Sequence, residues 1–156
     1  MSNTASQNNA LKALLILHKA MLIGQILFAM VALFLIYSGV FRAGSPSLNK
    51  ILQVFSISLS AGGFYLGTFL FKNKMVQALE SKTVVEKASI YTKACILQWA
   101  LLEGPCLFVL VCFFIAGNYA FFALAIVLVV LFAMMGPSKT KMMFHLHLSE
   151  EEMANL

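Results

Sequence analysis

Charge is scarce in this chain of 156 residues: 11% of it is Asp, Glu, Lys or Arg, where ordinary soluble domains carry roughly 25%. With 61% apolar residues and a mean hydropathy of +0.89, that shortage excludes an ordinary cytosolic domain and a disordered chain. Cysteine is equally thin. Cys95, Cys106 and Cys112 fall in one apolar stretch without CxxC spacing, which excludes a disulfide scaffold. Arg42 is the only arginine. No nucleophile–base constellation, glycine-rich phosphate loop or pair of facing histidines can be found, so neither an enzyme activity nor a cofactor is expected.

What is abundant is apolar sequence in runs of membrane width. A helical span takes roughly 20 such residues, and four runs qualify: Ala20–Phe41, Ile51–Phe71, Ala94–Ala116 and Tyr119–Met135. They use nearly the whole length and leave no room for a separate catalytic domain. Gly117 and Asn118 alone separate the last two, enough for a tight reversal between antiparallel helices. In the first connection, Ser45 followed by Pro46 reads as an N-cap with proline in the first turn. Between spans two and three, Thr83-Val84-Val85-Glu86 is a capping box. Helix two is therefore expected to run to about Glu80 and helix three to begin near Val84. Gly136-Pro137 breaks helix four, and Ser149 with Glu152 is placed to start one more turn. Residues 1–9 read as a disordered N-terminus, 10–136 as one four-helix domain and 137–156 as a cytoplasmic tail.

Lysine sets the orientation. Lys12, Lys19, Lys72, Lys74, Lys82, Lys87, Lys93, Lys139 and Lys141 collect on one side, against Arg42 and Lys50 on the other. Cations stay on the cytoplasmic face, so both termini are expected inside, in a multi-pass protein of a plasma membrane, the inner membrane of a bacterium. The net charge of +5 then reflects topology and anionic headgroups. The lipid bilayer is the expected partner, with a homo-oligomer or larger membrane complex open and nucleic acid excluded.

Shifting the chain by 80 residues lays span one on span three. Ile16, Leu17, Ala20, Leu22, Gly24, Leu27, Phe28, Val31 and Phe34 recur as Ile96, Leu97, Ala100, Leu102, Gly104, Leu107, Phe108, Val111 and Phe114. A shift of 67 places Lys72, Lys74, Met75 and Leu79 on Lys139, Lys141, Met142 and Leu146. The fold class expected is all-α, a polytopic membrane protein with four transmembrane helices as two tandem helical hairpins. The repeat halves would cover 10–80 and 84–148, parallel about an axis along the membrane normal.

Glu103 is the one acidic residue inside a span. It lies ten residues past Lys93, about 15 Å along a helix and close to mid-membrane. An ionisable group there is a functional candidate by default, for proton binding or for an ion pair; the alternative is that it fixes helix packing. Pro105 follows and removes a backbone hydrogen bond, so a kink is expected. Its candidate partners lie on helix one, where His18 and Gln25 share a face and Lys19 either snorkels to headgroups or reaches inward. On helix two, Ser56, Ser60, Gly63 and Gly67 form a small-residue face suited to helix contact, within the chain or between copies. Helix four, rich in Val and Leu, is expected to meet lipid. His145-Leu146-His147 has no third ligand at a recognisable spacing, so no metal site is expected and a solvated tail is. Met142, Met143, Phe144, Leu146 and Leu148 also suit a segment lying on the membrane surface.

Four spans, tandem hairpins and one buried carboxylate resemble the duplicated proteolipid (c-type) subunit of rotary ATPases. That resemblance implies an ion-binding carboxylate, which the family carries on an even-numbered helix and this chain carries on helix three. The segment Ala100-Leu-Leu-Glu-Gly-Pro-Cys-Leu-Phe108 resembles a pattern from uncharacterised small bacterial four-helix membrane proteins. A glutathione-transferase-like membrane enzyme is similar in size and basicity, but would need several arginines. The reading that follows is a non-enzymatic packing or accessory subunit, with a proton- or cation-coupled translocator using Glu103 as the alternative.

Overall fold

A chain in hydrocarbon must satisfy its backbone within each segment, and a helix does so. The computed structural model describes the backbone of residues 3–39, 46–150 and 152 and the side chains of 11–39, 48–150 and 152. Five helices follow one another: α1 (Asn3–Tyr37), α2 (Pro46–Glu80), α3 (Val84–Ala116), α4 (Tyr119–Met134) and α5 (Lys139–Leu146). Three of them are long and apolar enough to cross a membrane; α4 reaches that measure only together with α5, from which it is bent by 73°. The Ser45 cap and Arg42 lie outside the described residues. α1 is helical from Asn3, where composition led us to expect an irregular segment over 1–9.

The helix ends have local causes. The Thr83 hydroxyl accepts from the Glu86 N–H (3.3 Å) at the start of α3. At its end Gly117 takes φ +63°, a left-handed C-cap that glycine adopts at no steric cost. Asn118 then opens α4, accepting from Ala120 N–H (2.9 Å) while donating to Asn49 Oδ1 on α2 (3.2 Å). Asn118→Ala removes both bonds, and we expect a loss of about 1 kcal/mol, read as a lowered thermal midpoint in detergent.

α3 is the hub. Along it α2 runs antiparallel: Phe71 meets Tyr91, Gly67 rests on Gln98, Gly63 on Leu101 and Pro105, and Phe55 meets Phe108. α4 also runs antiparallel to α3, through Phe113–Phe122 at one end and Trp99–Phe132 at the other. Among the described residues α1 packs on α3 and α4 and scarcely touches α2. This corrects the expectation of two equivalent hairpins. α3 and α4 close one; α1 and α2 do not, because the small face that allows close approach on α2 is spent on α3.

Two further expectations change. α4 is not given over to lipid: Phe121, Ala125, Leu128 and Phe132 on one of its faces are buried. Nor are residues 139–148 a solvated tail. α5 folds back over the end of the bundle and buries Met142 and Leu146, with Leu148 buried just beyond it and Phe144 left exposed. Ser149 and Glu152 then cap each other's N–H groups (2.8 and 3.1 Å). α5 meets α2 and α3 at Phe71 and Tyr91, which gathers the lysines of α5, late α2 and early α3 at one end of the molecule.

Candidate functional site

α4 has 16 residues, about 24 Å at the helical rise, short of the roughly 30 Å of a hydrocarbon core. Its end is level with Trp99, six residues past Lys93 and so about 9 Å deeper than that lysine. The last carbonyls of a helix lack the N–H partners that the next turn would bring; here the Met135 and Gly136 N–H groups turn back to Phe132 O (3.0 Å) and Ala133 O (3.3 Å). Three other segments supply further donors. His18 Nε2 of α1 lies 3.0 Å from Phe132 O; a carbonyl only accepts, so this nitrogen carries the proton. Trp99 Nε1 of α3 donates to Met135 O (3.2 Å). Lys141 Nζ of α5 donates to Met134 O (2.8 Å) and Gly136 O (2.9 Å), a cation at the negative end of the helix dipole.

Packing fixes these donors. The His18 imidazole stacks on Phe132, with 4.8 Å between centroids and planes 5° apart, and tilts against Trp99 at 4.8 Å. Gly136 lies under the ring, where a Cβ would stand 3.3 Å from His18 Cε1. His18 and Trp99 are buried. The cluster is thus a structural cap on a helix end, with its donors occupied.

Glu103 stands one turn beyond Trp99 at the edge of the buried face, half-buried itself, with the Cys106 thiol as its electrostatic neighbour. Among the described residues no hydrogen bond or ion pair joins it to His18, Lys19 or Gln25. Lys19 is exposed. Gln25, seven residues past His18 on α1, is buried with neither amide atom partnered. The structure therefore separates the polar set: His18 belongs to the α4 cap, Gln25 is isolated, and Glu103 lies at the surface edge.

The small face of α2 is turned to α3. Pro105 has no N–H for the Leu101 carbonyl four residues back, and Gly63 covers that carbonyl so closely that a Cβ would strike its oxygen and come within 2.8 Å of Pro105 Cγ. A Cα–H···O contact suits such a geometry. α3 passes through Pro105 as a single helix. At Gly67 a Cβ would stand 3.4 Å from Gln98 O. Ser60 Oγ donates to Ser56 O (2.7 Å). Ser56 Oγ has the Cys112 thiol beside it without making a hydrogen bond by distance and angle.

His145, outside the spans, sits edge-on to Phe71 and beside Tyr91. Burial, then the Lys141 charge, holds its imidazole below the ordinary value. The unfolded ring takes up its proton near pH 6.5, so the contribution of a neutral His145 is present above about pH 6.5 and lost as pH falls below it. A lower protection factor in α5 (exchange measured against the intrinsic rate at each pH) at about pH 5.5 than at about 7.5, absent in His145→Phe, is the expected result. Glu152 is fully exposed, its carboxyl held below the usual range by bonds from Ser149; its contribution is lost only in more acid solution, below about pH 4.5. Among the described residues no group of three His, Cys, Asp or Glu is placed to hold a metal ion.

Sequence reading placed His18 and Gln25 on an inward face but tied them to Glu103. It missed Lys141 and Gly136 at the α4 end. The signal that was present is length: the fourth apolar run is shorter than the other three. No protein-family model, curated protein or solved structure matches this chain.

Proposed function

We propose that the chain is an integral membrane protein of four crossings, with α4 as the fourth and both ends on the cytoplasmic side. It acts without catalysis, as a packing or accessory subunit of a larger assembly in the plasma membrane. One observation carries the reading. Only 11% of the most apolar stretch of α1 and 17% of that of α2 is buried in the molecule, against 50% for α3. Two helices of crossing length thus keep most of their surface for lipid or for other chains, while the buried donors His18 and Trp99 are spent on the α4 end. The small face of α2 is occupied by α3, so partners meet the chain elsewhere. Extraction from native membranes in a lipid-retaining polymer is expected to give a particle whose protein mass exceeds the 17.2 kDa of one chain; a lone chain contradicts the reading.

A second reading, a proton- or cation-coupled translocator using Glu103, is favoured by Gln25, a buried amide that no group among the described residues satisfies. It requires pH-driven flux in liposomes that Glu103→Gln abolishes, and equal traces from the two proteins count against it.

A further inference from the structure

Glu103 is placed where a carboxyl group has poor company. It lies at mid-bilayer depth, and among the described residues no cation pairs with it: Lys19 is exposed, Lys141 is bound to the carbonyls ending α4, and Lys93 is ten residues back along the same helix. The surface beside it is open. A Cβ on Gly104 would have nothing within 4 Å, and Ile96, two turns before Glu103, and Leu107, one turn after it, are 40% and 37% exposed. A polar group in hydrocarbon without a partner is costly, and the complement of a carboxylate is a cation.

We propose that the α3 edge formed by Ile96, Glu103, Gly104 and Leu107 docks a transmembrane helix of another protein, one that presents a basic side chain at mid-bilayer depth opposite Glu103. This rests on the reading of the chain as a subunit and names the surface and chemistry by which it joins. A second copy does not meet the requirement. Inserted with the same orientation, it brings another Glu103 to that depth, and its lysines gather at the ends of the helices. The partner's side chain is equally costly in lipid when alone, so pairing relieves both groups together. The neighbouring glycine lets the incoming backbone come near.

The test uses the purified full-length chain in phosphatidylcholine vesicles and a synthetic polyleucine helix of about 20 residues with one central arginine, followed by energy transfer from the helix to a fluorophore on the chain. All-leucine and central-glutamate helices are the comparisons. The arginine helix is expected to associate at least about tenfold more tightly than the all-leucine helix, a difference of about 1.4 kcal/mol. Glu103→Leu and Glu103→Lys should bring it down to the leucine level. Equal association of arginine and leucine helices with the unmodified chain overturns the proposal and needs no variant to fold. Self-association of the chain that depends on Glu103 overturns it as well. Binding of the arginine helix by a chain that runs alone in native membranes supports the surface while contradicting the subunit reading. A chain found in an assembly but indifferent to the arginine contradicts the surface alone.

Discussion

Trp99→Ala should destabilise the bundle by about 4 kcal/mol, the largest effect expected of any single substitution in it. Trp99 is fully buried at the level where α4 stops. Its removal opens a cavity against Phe132 and His18 and leaves Met135 O without its donor. Trp99→Phe separates the two contributions. It keeps most of the ring and loses the N–H, so a cost of about 1 to 2 kcal/mol is expected, the range for an unsatisfied buried acceptor. His18→Phe belongs to the same series, since it loses the bond to Phe132 O and retains a ring to stack. The measurement is the unfolding midpoint in mixed micelles of increasing denaturing detergent. Equal midpoints for Trp99→Phe and the unmodified chain would show that the bond to Met135 O contributes nothing.

Gly63→Ala comes next, at about 2 kcal/mol by overpacking, and its neighbour is the control. At Gly62 an added Cβ meets nothing within 4 Å; at Gly63 it meets the Leu101 carbonyl and the Pro105 ring. Both are mid-helix glycines, so intrinsic helix propensity favours alanine equally at each. Gly62→Ala should therefore be neutral or slightly stabilising, and the difference between the two variants isolates the helix contact. Pro105→Ala removes the ring and restores an N–H able to reach Leu101 O. The Gly63→Ala cost should shrink in that background, a non-additivity expected of residues that touch.

The local features were legible because local chemistry decides them. Thr83 with Glu86, Gly117 with Asn118, and the break at Gly136-Pro137 each mark a helix end within a few residues of sequence, and the helices end there. The spacing of Ser56, Ser60, Gly63 and Gly67 identifies one face of α2, though not which helix covers it. What stayed hidden depends on distant pairs. His18 and Phe132 are 114 positions apart, and nothing near either residue announces the other. The internal similarity of α1 and α3 suggested equivalent hairpins, yet the two helices occupy different environments, α3 central and α1 peripheral. α5 was hard to read because Lys139, Lys141 and His145 make it look polar. Its burial rests on Met142 and Leu146, one turn apart, together with Leu148 just beyond it. Glu103 is legible as unusual from sequence alone. Its place at an edge, away from His18 and Gln25, is a property of the packed helices.

Side chains of three other segments cap the end of α4, and we propose that this end lies inside hydrocarbon. Trp99 is the only tryptophan of the chain, so its fluorescence reports that depth directly. In vesicles made with brominated lipids, bromines deep in the acyl chains should quench Trp99 more strongly than bromines near the headgroups, while water-soluble acrylamide leaves it bright. Strong quenching by acrylamide with little from any brominated lipid would contradict the claim.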